Sequence, residues 1–298
     1  MPKISPYYAL ALSLVSLTTA ADHMEETLVT ASHDTHIIDV NSAQIISSDA
    51  AQLLKNAPGA NVNGNGPLTG IPQYRGMYGS RVATSMDGKQ LAPAGPNWMD
   101  APLSYAAAGQ LESLELYRGI APVSVAQESI GGAIAVTTNR GSFTQDKAFK
   151  MSGNLIANGQ SANNGSHLNA ALYLANDTHR LKLGAMTESA SDAEFPNGEI
   201  TPSEYERQRY DLGYGFQSDR HTMQLDYTYS DTGDTGTAAL PMDIKYIEGD
   251  LYSVGYTFAA AEDINIEAKV YGAKLDHGMT NYHLRDAPPA ARWRRNIA

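Results

Sequence analysis

Cysteine is absent, so the soft and borderline metal ligands that remain in this sequence are methionine and histidine. His277 and Met279 lie two residues apart near the end of the chain. Thioether sulfur is a soft ligand that favours Cu(I), and imidazole binds copper well. Methionine also commonly fills irregular apolar gaps, so spacing alone favours ordinary packing at these two positions.

Several classes of function are disfavoured by patterns that the sequence lacks. It contains no G-x-S-x-G or H-E-x-x-H pattern and no cysteine nucleophile, so we do not expect an enzyme. Its glycines do not form a phosphate-binding loop of the G-x-x-x-x-G-K-S/T or G-x-G-x-x-G type. A formal net charge of −11, with no basic stripe, argues against nucleic-acid binding.

The N-terminus has the pattern of a secretory signal peptide. Lys3 precedes an apolar run at residues 9–17, and small residues follow at positions 18–21. The run is shorter than the about 20 residues that a membrane-spanning helix requires. We therefore predict a cleaved signal peptide over residues 1–21 and export from the cytoplasm.

Residues 22–48 read as a linker that contains one β-prone stretch. A flexible terminus is one interpretation of this stretch. Strand addition to the sheet edge of a partner protein is the other. The stretch consists of Glu26, Thr27, Leu28, Val29, Thr30 and Ala31.

Residues 49–141 have short apolar runs separated by glycine and proline, which is typical of a compact α+β domain with tight turns. Residues 50–54 predict a short helix that closes before Pro58. Residues 111–117 and 133–137 predict strands. The glycines that we expect in turns of this domain are Gly76, Gly88, Gly119, Gly131 and Gly132.

Residues 142–298 alternate between apolar and polar side chains. In residues 222–230, Met223, Leu225 and Tyr227 share one face while Asp226 points the other way. This alternation predicts transmembrane barrel strands, and a soluble antiparallel sheet would show it too. Tyrosine favours the barrel, because 11 of the 17 tyrosines lie between residues 151 and 298. The candidate strands are residues 149–159, 167–176, 180–188, 209–218, 222–230, 251–259 and 264–275.

The order of these segments resembles the TonB-dependent receptor family. Residues 26–31 (ETLVTA) are similar to the TonB box, and Arg75-Gly76-Met77 and Asp87-Gly88 to elements of the plug domain. Residues 111–120 (LESLELYRGI) and 128–139 (ESIGGAIAVTTN) resemble the end of the plug. The resemblance implies an α+β plug domain followed by the first strands of an antiparallel transmembrane β-barrel. Plugged transporters use about 22 strands, so seven candidates imply the N-terminal part of a longer receptor.

Within the family, residues 92–105 (APAGPNWMDAPLSY) and 117–127 (YRGIAPVSVAQ) resemble the copper-receptor branch. That resemblance implies a metal site shared by a plug C-x-x-x-M motif and a barrel H-x-M motif. These motifs correspond here to Gly95 and Met99, and to His277 and Met279. Glycine replaces the family's cysteine at position 95, which removes the softest ligand.

The expected function is therefore active uptake of a metal, with copper as the transported ligand, in the outer membrane. The expected partners are the energy-transducing protein TonB, which the box would bind, outer-membrane lipid, and a metal ion or metal chelate. No catalytic cofactor is expected. The alternatives are a receptor for an iron-siderophore or zinc, supported by acidic residues at Asp231, Asp234 and Asp243, and a structural barrel that does not transport.

Overall fold

The structure is a computed structural model that describes residues 35–40, 49–64, 66–95, 98, 100–126 and 129–298. The predicted signal peptide and the box at residues 26–31 lie outside these residues, as does Met99. Within the described part of the chain, no helix has the length and hydropathy needed to cross a membrane.

The N-terminal region, residues 35–141, is built on a small mixed sheet of four strands. They are β1 (Thr35–Ile38), β5 (Ala83–Met86), β6 (Leu111–Tyr117) and β7 (Ala133–Thr138). Their order in the sheet is β1-β6-β7-β5. β6 pairs antiparallel with both β1 and β7, whereas β5 and β7 are parallel. The strands predicted at residues 111–117 and 133–137 are confirmed as β6 and β7. A separate meander contains β2 (Ala60–Gly64), β3 (Gly70–Tyr74) and β4 (Met77–Tyr78).

Four short helices in the described residues connect these strands, and each has the 3-10 conformation. The helix predicted at residues 50–54 is present, and Asp49 caps it by accepting a hydrogen bond from the Ala51 amide at 3.0 Å. The carbonyl of Leu54 accepts from Ala57, which ends the helix before Pro58. The helices span Ala50–Asn56, Gly79–Arg81, Pro102–Tyr105 and Ala108–Gln110.

At two of the expected turn glycines, a side chain is excluded for different physical reasons. Gly132 has a φ of +104°, a conformation that L side chains rarely adopt. Gly131 has no positive φ, but a Cβ there would lie 2.6 Å from the carbonyl oxygen of Arg81. Gly76, Gly88 and Gly119 also have positive φ values.

The C-terminal part of the chain forms one antiparallel sheet of eight strands. All seven candidate stretches overlap strands of this sheet, with residues 149 and 176 falling one position outside. The sheet also has an eighth strand, at Trp293–Ile297, that the sequence did not predict. A two-stranded hairpin, β11 (Ala193–Phe195) and β12 (Gly198–Ile200), lies in the connection of residues 191–204. The sheet contains β8 (Lys150–Gln160), β9 (Gly165–Ala175), β10 (His179–Ala190), β13 (Tyr205–Ser218), β14 (His221–Thr232), β15 (Asp243–Ala261), β16 (Ile264–Thr280) and β17 (Trp293–Ile297).

The two faces of this sheet differ in polarity. One face exposes large apolar side chains such as Leu212, Val254 and Val270. The opposite face turns toward the N-terminal region and buries charged side chains such as Arg209 and Asp211. A membrane barrel wall has this pattern, with apolar side chains on its outer face and polar side chains on its inner face.

The core of the N-terminal region continues onto the inner face of the large sheet. Leu103, Leu114 and Ile134 are fully buried, and they belong to one cluster with Leu251 of β15 and Leu275 of β16. This shared core places the Pro102–Tyr105 helix beside the end of β16. It is the feature that brings the candidate site residues together.

Candidate metal site

The C-terminal end of β16 supplies the barrel half of the candidate site. Because alternate residues of a strand share a face, Leu275, His277 and Met279 point the same way. His277 pairs with Ile247 of β15, and Met279 pairs with Ile244. His277 is 0% exposed and Met279 is 3% exposed, so both side chains are buried.

A short loop of the N-terminal region supplies the other half. An isolated antiparallel bridge between Ala94 and Asp100 closes the base of this loop. Gly95 begins the loop with a φ of +70°, which a glycine adopts without strain. Asp100 ends the loop and is 0% exposed. Met99, the expected thioether ligand, lies in this loop outside the described residues.

The two halves meet at a buried histidine and a buried carboxylate. Nδ1 of His277 lies 2.5 Å from Oδ2 of Asp100, a contact between residues 177 positions apart in sequence. A Cβ at Gly95 would lie 2.9 Å from the same Nδ1 and 3.1 Å from the same Oδ2. The position that the resemblance aligns with the family's cysteine therefore lies directly against His277.

Three buried polar atoms around this contact have no hydrogen-bond partner. They are Nε2 of His277, Oδ1 of Asp100 and the hydroxyl of Tyr105. Burial, and then the negative charge of Asp100, raises the pKa of the Tyr105 phenol well above its usual range. Buried polar groups are normally satisfied, so a cluster of unsatisfied atoms calls for a ligand or water.

Met279 has a second structural role. It packs in an apolar cluster with Ile244 and Ile247, against Leu240 and Met242. The described residues also contain no group of three or more histidine, cysteine, aspartate or glutamate side chains that could hold a metal ion. Any metal bound here would therefore depend on thioether sulfur as well as on His277 and Asp100.

The sequence missed two residues of this site, Asp100 and Tyr105. Asp100 immediately follows Met99 in the segment that carries the resemblance. A carboxylate next to a candidate ligand was a usable signal, because ligating histidines usually donate their second ring N–H to a carboxylate or carbonyl. No sequence pattern indicated Tyr105.

Two of the three acidic residues that could favour a zinc site are engaged in ion pairs. Asp243 forms an ion pair with Arg285 at 2.5 Å, and Asp234 forms one with Lys245 at 2.7 Å. His283 lies 3.6 Å from the Asp234 carboxylate, and its Nε2 is 3.2 Å from the Ile244 carbonyl oxygen. These groups stabilise the connections around β15 and are not gathered into one cation site.

A comparison with protein-family models matches residues 35–133 to the TonB-dependent receptor plug domain. These residues are a TonB-dependent receptor plug domain. The loop with Gly95, the bridge residue Asp100 and the Pro102–Tyr105 helix all lie within this plug, whereas His277 and Met279 belong to the eight-stranded sheet. A search of curated proteins found no match.

Solved structures of TonB-dependent transporters share this fold. The copper transporter OprC has a TM-score of 0.75 and 24% identity, over 86% of this chain and 39% of that one. The hemophore receptor HasR of Serratia marcescens, solved with its hemophore and heme, has a TM-score of 0.66 and 17% identity over 83% and 40%. A variant of the ferric enterobactin receptor PfeA from Pseudomonas aeruginosa has a TM-score of 0.60 and 14% identity over 90% and 45%.

These structural similarities, at identities below 25%, establish the fold alone, and the ligand has to be argued from the site. The chain spans 39% to 45% of the length of these three structures. Its plug and eight-stranded sheet correspond to the start of the plugged barrel receptors, in agreement with the sequence-based fold class.

Two buried arginines of the sheet hold the plug against its inner face. Arg207 and Arg209 of β13 donate hydrogen bonds to the carbonyls of Ser104 and Tyr105, at the C-terminal end of the Pro102–Tyr105 helix. Positive charge at that end of a helix stabilises the unsatisfied carbonyls. The helix that follows Asp100 is thus held at its far end by the barrel wall.

Proposed function

We propose that this chain is part of a TonB-dependent outer-membrane receptor that imports a metal ion, with copper as the transported ligand. The observation that carries this proposal is the contact of the plug with His277. The loop of Gly95 and Asp100 touches the buried imidazole, and three polar atoms there lack partners. The receptor performs no chemistry on its ligand.

The location of the site supports entry of a ligand from outside the cell. β16 ends at Thr280, next to the connection of residues 281–292, and β15 begins after the connection of residues 233–242. At the opposite end of the sheet, tight turns join β13 to β14 at residues 219–220 and β15 to β16 at residues 262–263. In outer-membrane barrels the short turns face the periplasm and the long loops face outward.

The ligand chemistry supports a soft or borderline cation. The proposed ligands are Met99, His277 and Met279, and imidazole and thioether groups suit copper. One structural relative, OprC, is named a copper transporter, and its fold is shared over 86% of this chain. Gly95 removes a thiolate from the site, so copper would be held here without the strongest soft ligand.

Energy for release would come from TonB. We propose that residues 26–31 pair with TonB as an added strand, as extended peptides do at sheet edges. A signal peptide over residues 1–21 would export the chain, and the apolar outer face of the sheet would contact outer-membrane lipid. The chain would need no nucleotide-binding loop, because the energy for transport would be supplied through its contact with TonB.

An iron chelate is the second candidate, because the structural relatives include receptors named for ferric enterobactin and for a heme-carrying hemophore. A receptor for such a large ligand would not depend on the buried His277. A structural barrel without transport would have no use for a plug domain. Loss of metal binding on substitution of His277 therefore separates copper from both alternatives.

The test is metal content of the full chain, purified in detergent and dialysed against copper. We expect His277→Gln to lower copper affinity by at least about 10-fold. Met279→Leu and Met99→Leu should also lower it, because leucine keeps the packing volume and removes the thioether. Met151→Leu, at an exposed methionine of β8, is the matched control. Equal copper in all variants would exclude this site and favour an iron chelate.

A further inference from the structure

Asp100 is the residue of this site for which the proposed ligand set has no role. Its side chain is 1% exposed and lies between the loop of Gly95 and the inner face of β16. Oδ2 contacts Nδ1 of His277 at 2.5 Å, and Oδ1 has no partner. A buried carboxylate is costly unless it is paired, so this contact requires an explanation.

The contact determines which nitrogen of His277 can bind a cation. An ionised carboxylate can only accept hydrogen bonds, so Nδ1 must carry the proton that it donates to Asp100. In the neutral imidazole the lone pair then lies on Nε2. Nε2 is buried and unpartnered, which leaves it available as a ligand atom.

The site also lacks the negative charge that the family's cysteine would provide. A thiolate at position 95 would bring one negative charge, whereas glycine brings none. As metal ligands, imidazole and thioether groups bring no negative charge. The carboxylate of Asp100 lies where it can replace that charge, because a Cβ at Gly95 would be 3.1 Å from its Oδ2.

We propose that Asp100 is a positioning residue that holds His277 with Nε2 toward the metal ion and supplies the negative charge that position 95 lacks. This inference rests on the proposed function, since it assigns a role within the same site. It predicts a preference for divalent cations, which the ligand set alone does not predict. Coulomb attraction scales with the product of charges, so the carboxylate favours a divalent over a monovalent cation.

The experiment compares Cu²⁺ with Ag⁺, a soft monovalent probe, on the full chain in detergent. Asp100→Asn keeps an acceptor oxygen for Nδ1 and removes the charge. We expect Cu²⁺ affinity to fall about 10- to 100-fold, the usual effect of losing a partner of a ligating histidine, and Ag⁺ affinity to fall less. Pulsed EPR of bound Cu²⁺ should show a changed signal from the remote nitrogen, Nδ1.

Two controls make the result specific. Asp146→Asn removes an exposed aspartate that pairs with Lys150, and it should change neither affinity. Asp100→Glu keeps the charge and should restore much of the Cu²⁺ preference over Ag⁺. If Asp100→Asn does not fold, as judged by protease digestion, the ratio of the two affinities in Asp100→Glu decides between a charge role and a purely structural one.

The outcomes separate the two proposals. If His277→Gln binds Cu²⁺ as the parent does, the proposed function is wrong. If His277→Gln loses Cu²⁺ but Asp100→Asn keeps both the affinity and the remote-nitrogen signal, the metal site stands and the role of Asp100 is overturned. Equal losses of Cu²⁺ and Ag⁺ in Asp100→Asn, without recovery in Asp100→Glu, would also overturn it.

Discussion

At the scale of single residues, Gly95 determines how close the plug can come to His277. Its φ of +70° and the 2.9 Å from a built Cβ to Nδ1 of His277 leave no room for a side chain. His277 is fully buried and cannot move freely. Adding sulfur at this position is therefore not a simple gain of a ligand, because the imidazole must shift first.

Paired substitutions at position 95 separate space from chemistry. We expect Gly95→Ala to weaken the His277–Asp100 contact and lower Cu²⁺ affinity, because the methyl group adds volume without a ligand atom. Gly95→Cys adds the same Cβ together with a thiolate sulfur, so its affinity for monovalent Ag⁺ should exceed that of Gly95→Ala. Titration of both variants with Ag⁺ and Cu²⁺ provides the measurement. Identical Ag⁺ affinities would mean that position 95 does not face the metal.

Asp49 provides a pH-dependent feature of the plug. Burial raises the pKa of this carboxyl from 3.8 to about 6, an effect that its hydrogen bond from Ala51 only partly offsets. A carboxyl with a raised pKa in the folded state destabilises the fold when ionised. The penalty is fully present above pH 6 and disappears as the pH falls toward 4, where the unfolded chain is protonated too.

Asp49→Asn should therefore stabilise the plug at pH 7.5 and lose most of that advantage by pH 4.5. Asparagine can still cap the Ala50–Asn56 helix, so the helix should persist. A shift of two pKa units corresponds to about 3 kcal/mol at most. Hydrogen exchange of peptides covering residues 49–64, corrected for the intrinsic effect of pH, measures the difference. An advantage that is constant across this range would contradict the buried-carboxyl explanation.

At the scale of elements, the Pro102–Tyr105 helix links the candidate site to the barrel wall. Asp100 lies just before its start, and Arg209 of β13 donates to the Tyr105 carbonyl at its end. Arg209 also pairs with Asp211 at 2.9 Å, and it is 2% exposed. Removing one member of a buried ion pair leaves the other charge uncompensated.

Arg209→Met should loosen this helix and weaken the site that precedes it. Loss of one partner from a buried pair costs about 3 to 5 kcal/mol. We expect faster hydrogen exchange over residues 100–110 and lower Cu²⁺ affinity, even though Arg209 contacts no proposed ligand. Arg220→Met, at an exposed arginine in the turn at the opposite end of the sheet from the candidate site, is the control. Unchanged exchange over residues 100–110 would show that the helix is held by its apolar contacts alone.

The sequence predicted elements with a regular pattern and missed those without one. Seven strands of the large sheet followed from alternation, because that sheet separates an apolar face from a polar one. β17 was missed because Trp293–Ile297 contains consecutive arginines and no alternation. The Pro102–Tyr105 helix was missed because four residues carry no helical period. The Asp100–His277 contact spans plug and barrel, so only the tertiary fold could reveal it.

At the scale of the whole molecule, the plug is held to the wall by several independent contacts. Arg140 bridges Asp226 of β14, at 3.0 Å, and Asp87 of the plug, at 3.2 Å. Gln110 donates to Asn169 of β9 at 3.0 Å. These contacts lie at the second half of the plug and at its exit into the first barrel strand. These contacts therefore fix the far end of the plug to the sheet.

The two proposed roles, coupling to TonB and ligand binding, fall in separate parts of the chain. The proposed TonB box at residues 26–31 precedes the plug, whereas the candidate site lies between the Gly95 loop and β16. We expect Leu28→Pro to abolish energy-dependent metal uptake, because proline removes a backbone donor that strand addition requires. Binding of copper at the cell surface should remain at the parent level, since no site residue changes.

Leu28→Ile is the matched control, because isoleucine keeps the backbone donor and favours extended structure. Uptake and surface binding of copper are measured in the same cells, with and without an energised inner membrane. Full uptake by Leu28→Pro would refute the strand-addition assignment of residues 26–31. Loss of surface binding together with uptake would instead mean that the proline prevents assembly of the receptor, and proteolysis of outer membranes identifies that case. If coupling and ligand binding are separate, Leu28→Pro should bind copper normally and fail to import it.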